Sequence, residues 1–318
     1  VELSVVVPVY NEEENVPELH RRLTDTLSGG VESYEIVLVD DGSRDRTWEI
    51  VCDLATRDPR VKGVSFSRNF GHQMAFTAGV ERASGDAVVI MDADLQDPPE
   101  LLPELLARWR EGYDVVYAVR ARRAAETAFK LFTAAAFYRV LRRITRVDIP
   151  VDTGDFRLMS RRAVDAFRRM PEQHRFTRGM VAWLGFKQVG VAYNRAARHA
   201  GETKYPLRKM LRLASDGITA FSYVPLQLAT WVGLVVTALA AVALATGAVV
   251  GMGWGGVPTW AFAAAGLALL GGLQLVAVGL LGEYVGRVFD EVKRRPLYLV
   301  RETVGFVPRM EPPSALTA

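Results

Sequence analysis

From Ser222 to Gly282 the chain carries no Asp, Glu, Lys or Arg. A surface helix of a soluble domain shows a polar face, and neither half of this stretch has one. Its length suits two membrane-spanning helices of ~20 residues each and a short turn. We place the spans near 226–250 and 260–281, with Gly251-Met252-Gly253-Trp254-Gly255-Gly256-Val257-Pro258 as the turn. Tyr223, Trp231, Trp254 and Trp260 suit the interfaces, where amphipathic rings concentrate. Arg208, Lys209 and Arg212 precede the first span; Arg287, Lys293, Arg294 and Arg295 follow the second; the turn is uncharged. By the positive-inside rule both flanks are cytoplasmic. The expectation is a multi-pass cell-membrane protein with its N-terminal domain and both termini in the cytoplasm.

The rest of the 318 residues obeys a different solvent. Strand-like runs at 3–9, 35–39, 61–66 and 87–91 alternate with helical patterns at 15–27, 45–55 and 73–83; a further strand is expected at 114–119. Such alternation predicts an α/β fold with a mostly parallel sheet covered on both faces. Ligands of these sheets bind beyond the carboxyl ends of the strands. The polar clusters fall there: Pro8-Val9-Tyr10-Asn11-Glu12, Asp40-Asp41-Gly42-Ser43 and Arg68-Asn69-Phe70-Gly71-His72. We divide the chain into a domain at 1–205, a juxtamembrane segment at 206–225, two transmembrane helices within 226–282 and a tail at 283–318.

The net charge of +3 is too modest to suggest nucleic acid as a partner. The single cysteine, Cys52, excludes a disulfide framework and a multi-cysteine zinc site, and its apolar neighbours suggest a small core residue. No basic region followed by a cleavable apolar core opens the sequence, so no secretory signal is expected. Segment 129–144 (FKLFTAAAFYRVLRRI) puts Phe129, Phe132, Phe137, Val140 and Leu141 on one helical face, with Lys130, Arg139, Arg142 and Arg143 around it. Beside transmembrane helices, this pattern reads as an interfacial helix.

The fourth strand runs into Met91-Asp92-Ala93-Asp94-Leu95-Gln96-Asp97-Pro98-Pro99-Glu100. Asp97, Pro98 and Glu100 have the spacing of a helix start, with Asp97 as the cap. Asp92, Asp94 and Gln96 are left over. Residues two apart in extended backbone point to one side. Two carboxylates and an amide oxygen converging there make a hard site suited to Mg2+ or Mn2+ that also carries substrate phosphates. A bare D-x-D is weak by itself; its place beside a second acidic strand end strengthens it.

Six ordered segments then carry a resemblance: VVVPVYNEEENV, VLVDDGSRDRT, SRNFGHQMA, MDADLQDPPE, TGDFRLMSR and RHAGETKY. Together they resemble the family 2 glycosyltransferases of the GT-A fold, in particular those that use polyprenyl phosphates, such as the dolichyl-phosphate mannose synthase and bactoprenol glucosyltransferase group. The resemblance implies a membrane-bound, inverting, metal-dependent hexosyltransferase with a GT-A domain and a C-terminal two-helix transmembrane hairpin. It would move one sugar from a nucleotide-sugar, UDP-glucose first and GDP-mannose second, to undecaprenyl or dolichyl phosphate at the cytoplasmic face. It implies Asp92, Asp94 and Gln96 as ligands of Mg2+ or Mn2+. Pro8, Tyr10, Glu12, Asp40, Asp41, Ala93 and Asp92 would contact the donor. Arg198 and Lys204 would meet its phosphates, as would Arg120 at a strand end. Asp155 would lie at the reacting centre, as a base or as a positioning group. Lys130 and Arg139 are candidates for the lipid phosphate. His72 is assigned no metal role. A homo-oligomer is expected.

Asp40-Asp41-Gly42-Ser43 also reads as a tight turn, and we expect one acid to bond the backbone and the other the ligand. Three rivals are weaker. A processive polysaccharide synthase usually carries Q-x-x-R-W and more spans. An inactive membrane scaffold predicts damaged motifs. A dinucleotide oxidoreductase needs G-x-G-x-x-G after the first strand.

Overall fold

The computed structural model describes residues 1–120, 153–193 and 259–306, with scattered helical positions between 229 and 246. Segment 129–144, the turn 251–258 and most of the expected first span lie outside the described residues. The chain forms two compact units, one built on a β-sheet and one containing a long apolar helix.

The sheet has eight strands in the order β7-β5-β6-β4-β1-β2-β3-β8. β1 (Leu3–Val9), β2 (Tyr34–Asp40), β3 (Val61–Phe66) and β4 (Ala87–Ile90) are parallel, with β1 between β2 and β4. β1, β2 and β4 are buried along their whole length. That is why they read as unbroken apolar runs rather than alternating ones.

Helices α1 (Val16–Leu27), α2 (Thr47–Arg57) and α3 (His72–Arg82) connect these strands. α1 buries Val16, Leu19, Leu23 and Leu27, one stripe at helical spacing. α3 buries every residue from Ala75 to Val80. Gly79 lets it lie close on the sheet, because a Cβ there would overlap Val6 Cγ1. Cys52 is half-buried on α2 and not in the core.

The far side of the sheet adds an antiparallel strand to the expected, mostly parallel pattern. β6 (Thr153–Ser160) runs antiparallel to both β4 and β5 (Val115–Arg120), and β7 (Gln188–Tyr193) runs parallel to β5. β6 did not read as a strand because it buries Asp155 and Arg157 between apolar residues. Between β6 and β7 lie α5 (Arg161–Arg168) and α6 (Thr177–Trp183); a turn of 3-10 helix (Pro99–Leu101) and α4 (Leu102–Arg110) precede β5. Residues 300–304, expected in the tail, form β8 (Val300–Val304), antiparallel on β3. Its exposed Arg301 and Glu302 suit an edge strand, where charge discourages further pairing.

In the other unit α7 (Thr259–Lys293) is 35 residues long, about 50 Å at helical rise. Its segment Phe262–Lys293 is the one described helix long and apolar enough, by length and composition, to cross a membrane. It continues past 281, where the expected span ended, through a Glu283–Arg287 ion pair at 3.0 Å. Residues 231–236 of the expected first span are helical. A two-helix hairpin does not follow from these residues.

Candidate active site

The carboxyl ends of β1 and β2 are laced together. Asn11 takes a positive φ of 52°. Its amide N–H donates to Ser43 Oγ at 2.9 Å, and its side-chain oxygen accepts from the Arg44 N–H at 2.9 Å. The Glu12 N–H donates to Thr47 Oγ1 at 2.9 Å, and the Glu12 carboxylate accepts from Asn15 Nδ2 at 2.6 Å. Pro8 is buried in β1 opposite Val39, and Tyr10 is half-buried just beyond the strand.

Both acids at the β2 end bond the polypeptide. Asp40 is fully buried and accepts from the Ser43 N–H and from Ser65 Oγ, each at 2.9 Å. Asp41 accepts from the Phe70 N–H at 2.7 Å and the Gly71 N–H at 3.0 Å. Burial pushes its carboxyl up to about 6 despite those two donors. Gly42, at φ +71°, brings this turn against the β3 end: a Cβ there would lie 2.5 Å from the Arg68 carbonyl carbon. The loops after β1, β2 and β3 therefore form one polar rim.

Beyond β4, burial alternates strictly. Met91, Ala93, Leu95 and Asp97 are buried; Asp92, Asp94 and Gln96 are half-buried. The three predicted metal ligands are thus the ones that reach solvent. Leu95 has a φ of 59°, and the Gln96 N–H donates to Asp94 Oδ1 at 3.2 Å, so this is a tight turn and not continued strand. Burial pushes the Asp92 carboxyl above its ordinary value; the charges of Asp155 and Asp94 add to this, and His72 offsets it only in part. A bound cation relieves such crowding. Two carboxylates and an amide oxygen fit a hard divalent ion that takes its other ligands from substrate phosphates. Among the described residues, no group of three or more His, Cys, Asp or Glu is placed to hold a metal ion alone.

Asp97 is not the expected helix cap. The turn at Pro99–Leu101 has Pro98 at its N-cap position, with no side-chain capping bond. Asp97 is buried, accepts from the Tyr193 hydroxyl of β7 at 2.8 Å, and lies 3.5 Å from the Asp92 N–H. It anchors the acidic turn from beneath. Glu100 forks onto Arg22 of α1 at 3.0 and 2.6 Å.

Asp155 lies in β6, across β4 from the parallel strands. Only 8% of its side chain is exposed. Arg178, in the first turn of α6, donates Nε to one carboxylate oxygen at 2.9 Å and a terminal nitrogen to the other at 3.2 Å. His72 Nε2 sits 3.5 Å from Asp155 and 3.7 Å from Asp92. Burial opposes charge on Asp155, but Arg178 and His72 outweigh it and hold the carboxyl well below its ordinary value. Burial likewise opposes charge on His72, and the two carboxylates overcome it, raising the imidazole to about 9. The cluster sets a raised imidazole and a guanidinium beside Asp155, whose carboxyl they hold in its charged form. A carboxylate held this way is a poor proton acceptor and a good fixed anion.

His72 and Arg178 are the site residues that motif reasoning missed. Arg178 has no local signal, since it meets an acid 23 residues away; His72 stands in the strand-end cluster after β3 but was given no role, because its partner Asp155 is distant in sequence. Arg120 ends β5 in register with Tyr193. Lys130, Arg139, Arg198 and Lys204 lie outside the described residues.

This arrangement has recognisable relatives. Residues 4–168, more than half of the chain, match the model of glycosyl transferase family 2. The chain belongs to that family. This glycosyltransferase is 49% identical over 313 residues to the uncharacterized glycosyltransferase YkcC of Bacillus subtilis, covering 96% of the chain and 95% of the relative. It is 41% identical to the prophage bactoprenol glucosyl transferase homolog of Escherichia coli, over 95% of this chain and 99% of that one. It is 40% identical to the bactoprenol glucosyl transferase of Shigella phage SfII, over 95% of this chain and 98% of that one.

Proposed function

We propose that this family 2 enzyme transfers one sugar from a nucleotide-sugar, UDP-glucose before GDP-mannose, to a polyprenyl phosphate at the cytoplasmic membrane face, with inversion. The observation that carries the proposal is the half-buried Asp92–Asp94–Gln96 turn at the β4 end. It sits in a chain alignable nearly end to end with a bactoprenol glucosyl transferase.

Asp92, Asp94 and Gln96 would hold Mg2+ or Mn2+, which when bound supplies Lewis-acid stabilisation of charge on the leaving nucleotide. Pro8, Tyr10 and Glu12, with Asp40 and Asp41 shaping the neighbouring turn, would receive the nucleoside end, beside Ala93. Arg120, Arg198 and Lys204 would meet the diphosphate, and Lys130 and Arg139 the lipid phosphate. The acceptor is a phosphate monoester, already ionised at neutral pH, so the site needs no strong base. Asp155 therefore serves as a fixed anion that orients the reacting groups; Arg178 and His72 offset its repulsion of the acceptor phosphate. An apolar hairpin at 226–282, with both flanks cytoplasmic, would hold the domain near a lipid head that cannot leave the bilayer. Confinement of this kind removes much of the entropic cost of encounter. A homo-oligomer is the expected assembly.

The test is a donor panel. Purified protein, polyprenyl phosphate and Mg2+ or Mn2+ are incubated with each common nucleotide-sugar, and the lipid product is weighed by mass spectrometry. A product one hexose heavier from UDP-glucose supports the proposal. No lipid-linked sugar from any donor, or a ladder of several sugars, would sink it.

A further inference from the structure

In the segment Arg175-Phe176-Thr177-Arg178, Thr177 and Arg178 reach α3 and Asp155, and Arg175 ties the preceding loop together. The buried Arg175 donates to the Glu172 carbonyl at 3.2 Å, also bonds the Met170 carbonyl, and lies 3.4 Å from Thr77 Oγ1 of α3. Its guanidinium packs 5.2 Å from the centre of the Phe167 ring. Thr177 is fully buried; its N–H donates to Gln73 Oε1 at 3.2 Å, and its hydroxyl donates to the same oxygen. Gln73 follows His72 directly. Arg178 then forks onto Asp155. The first turns of α3 and α6 are thus locked together at Gln73–Thr177. The next residue on one helix and the preceding residue on the other, Arg178 and His72, both engage Asp155.

We infer that this segment is a brace and that Arg178 is a positioning residue, acting on transfer through Asp155. A two-point fork fixes both position and rotation of a carboxylate, which a single contact from His72 does not. Without Arg178, Asp155 loses the two-point contact that sets its orientation. The nucleoside end of the donor, at the β1 and β2 ends, is untouched. The loss therefore falls on turnover and not on donor binding. The inference presupposes the transfer reaction proposed above.

The experiment measures kcat and donor KM for wild type, Arg178→Gln, Arg178→Lys and Arg178→Ala with added guanidinium. Misplacement of a reacting group by about 1 Å can cost ~100-fold in rate. On that scale Arg178→Gln lowers kcat by about 100-fold with donor KM changed less than about threefold. Arg178→Lys recovers part of the loss, and guanidinium raises the rate of Arg178→Ala. A merely structural role would move melting temperature and would not respond to guanidinium. If Arg178→Gln does not fold, Thr177→Val decides, because it removes only the hydroxyl of the clamp. A kcat reduced several-fold at unchanged KM supports the brace, and an unchanged kcat overturns it. Wild-type transfer with full activity in Arg178→Gln also overturns the inference; absence of transfer by the wild type overturns the proposed reaction instead.

Discussion

Asp97 shows how a correct motif can hide a wrong assignment at the residue scale. Its spacing from Pro98 and Glu100 is that of a helix start, but its carboxylate is buried and holds Tyr193 and the Asp92 backbone. Asp97→Ala removes the buried bond from the Tyr193 hydroxyl to the carboxylate, a loss of roughly 1–3 kcal/mol. Urea unfolding should read this directly. Asp97→Asn keeps one oxygen for Tyr193 and should cost less; equal stability of Asp97→Ala and wild type would show the bond to be idle. Asp92, Asp94 and Gln96 were proposed from a local pattern of strand-end acids, and they share the half-buried side of a turn. Asp155 was proposed only through a family resemblance. The contacts of His72 and Arg178 with Asp155 were not legible, since the fold brings these distant residues together.

Elements were legible where burial gave them a single period. β1 and β3 were expected at their observed bounds, and β2, β4 and the first three helices within about two residues. β6 was lost because Asp155 and Arg157 break its apolar run, and β8 because two exposed charges sit within five residues. The packing of α3 on β1 predicts that Gly79→Ala is destabilising by about 1–3 kcal/mol, since the added methyl overlaps Val6. A melting temperature equal to wild type would contradict that packing. A second element-scale prediction concerns acid. Asp58, at the end of α2, joins His20 of α1 at 3.0 Å and accepts the Arg60 guanidinium at 2.8 Å. Burial opposes its ionisation, but Arg60 and His20 prevail and set the folded carboxyl at about 2, against an ordinary 3.8. A depressed folded value means the stabilisation is complete above the unfolded value and is lost as pH falls toward the folded one. Asp58 should therefore contribute about 2 kcal/mol at neutral pH that fades between about pH 4 and pH 2. Asp58→Asn should flatten the acid limb of the stability profile; an unchanged limb would exclude this source.

At the scale of the whole molecule, the sequence foretold an apolar C-terminal part attached to an α/β domain, and α7 is such a helix. The hairpin and its orientation rest on the uncharged stretch and its basic flanks. Protease protection in sealed inverted vesicles tests them: a site engineered into 251–258 should be protected, and its cleavage from the cytoplasmic side would reverse the topology. What the whole chain is for turns on the acidic turn at the β4 end. The most direct measurement is the metal-dependent formation of a singly glycosylated polyprenyl phosphate by wild type and by Asp94→Asn, with folding checked in parallel. The account predicts product from UDP-glucose that disappears on chelation and returns with Mg2+ or Mn2+. It also predicts at least a ~100-fold loss in folded Asp94→Asn, since a metal ligand is removed. Product formed equally well in chelator, or by Asp94→Asn at the wild-type rate, would contradict it.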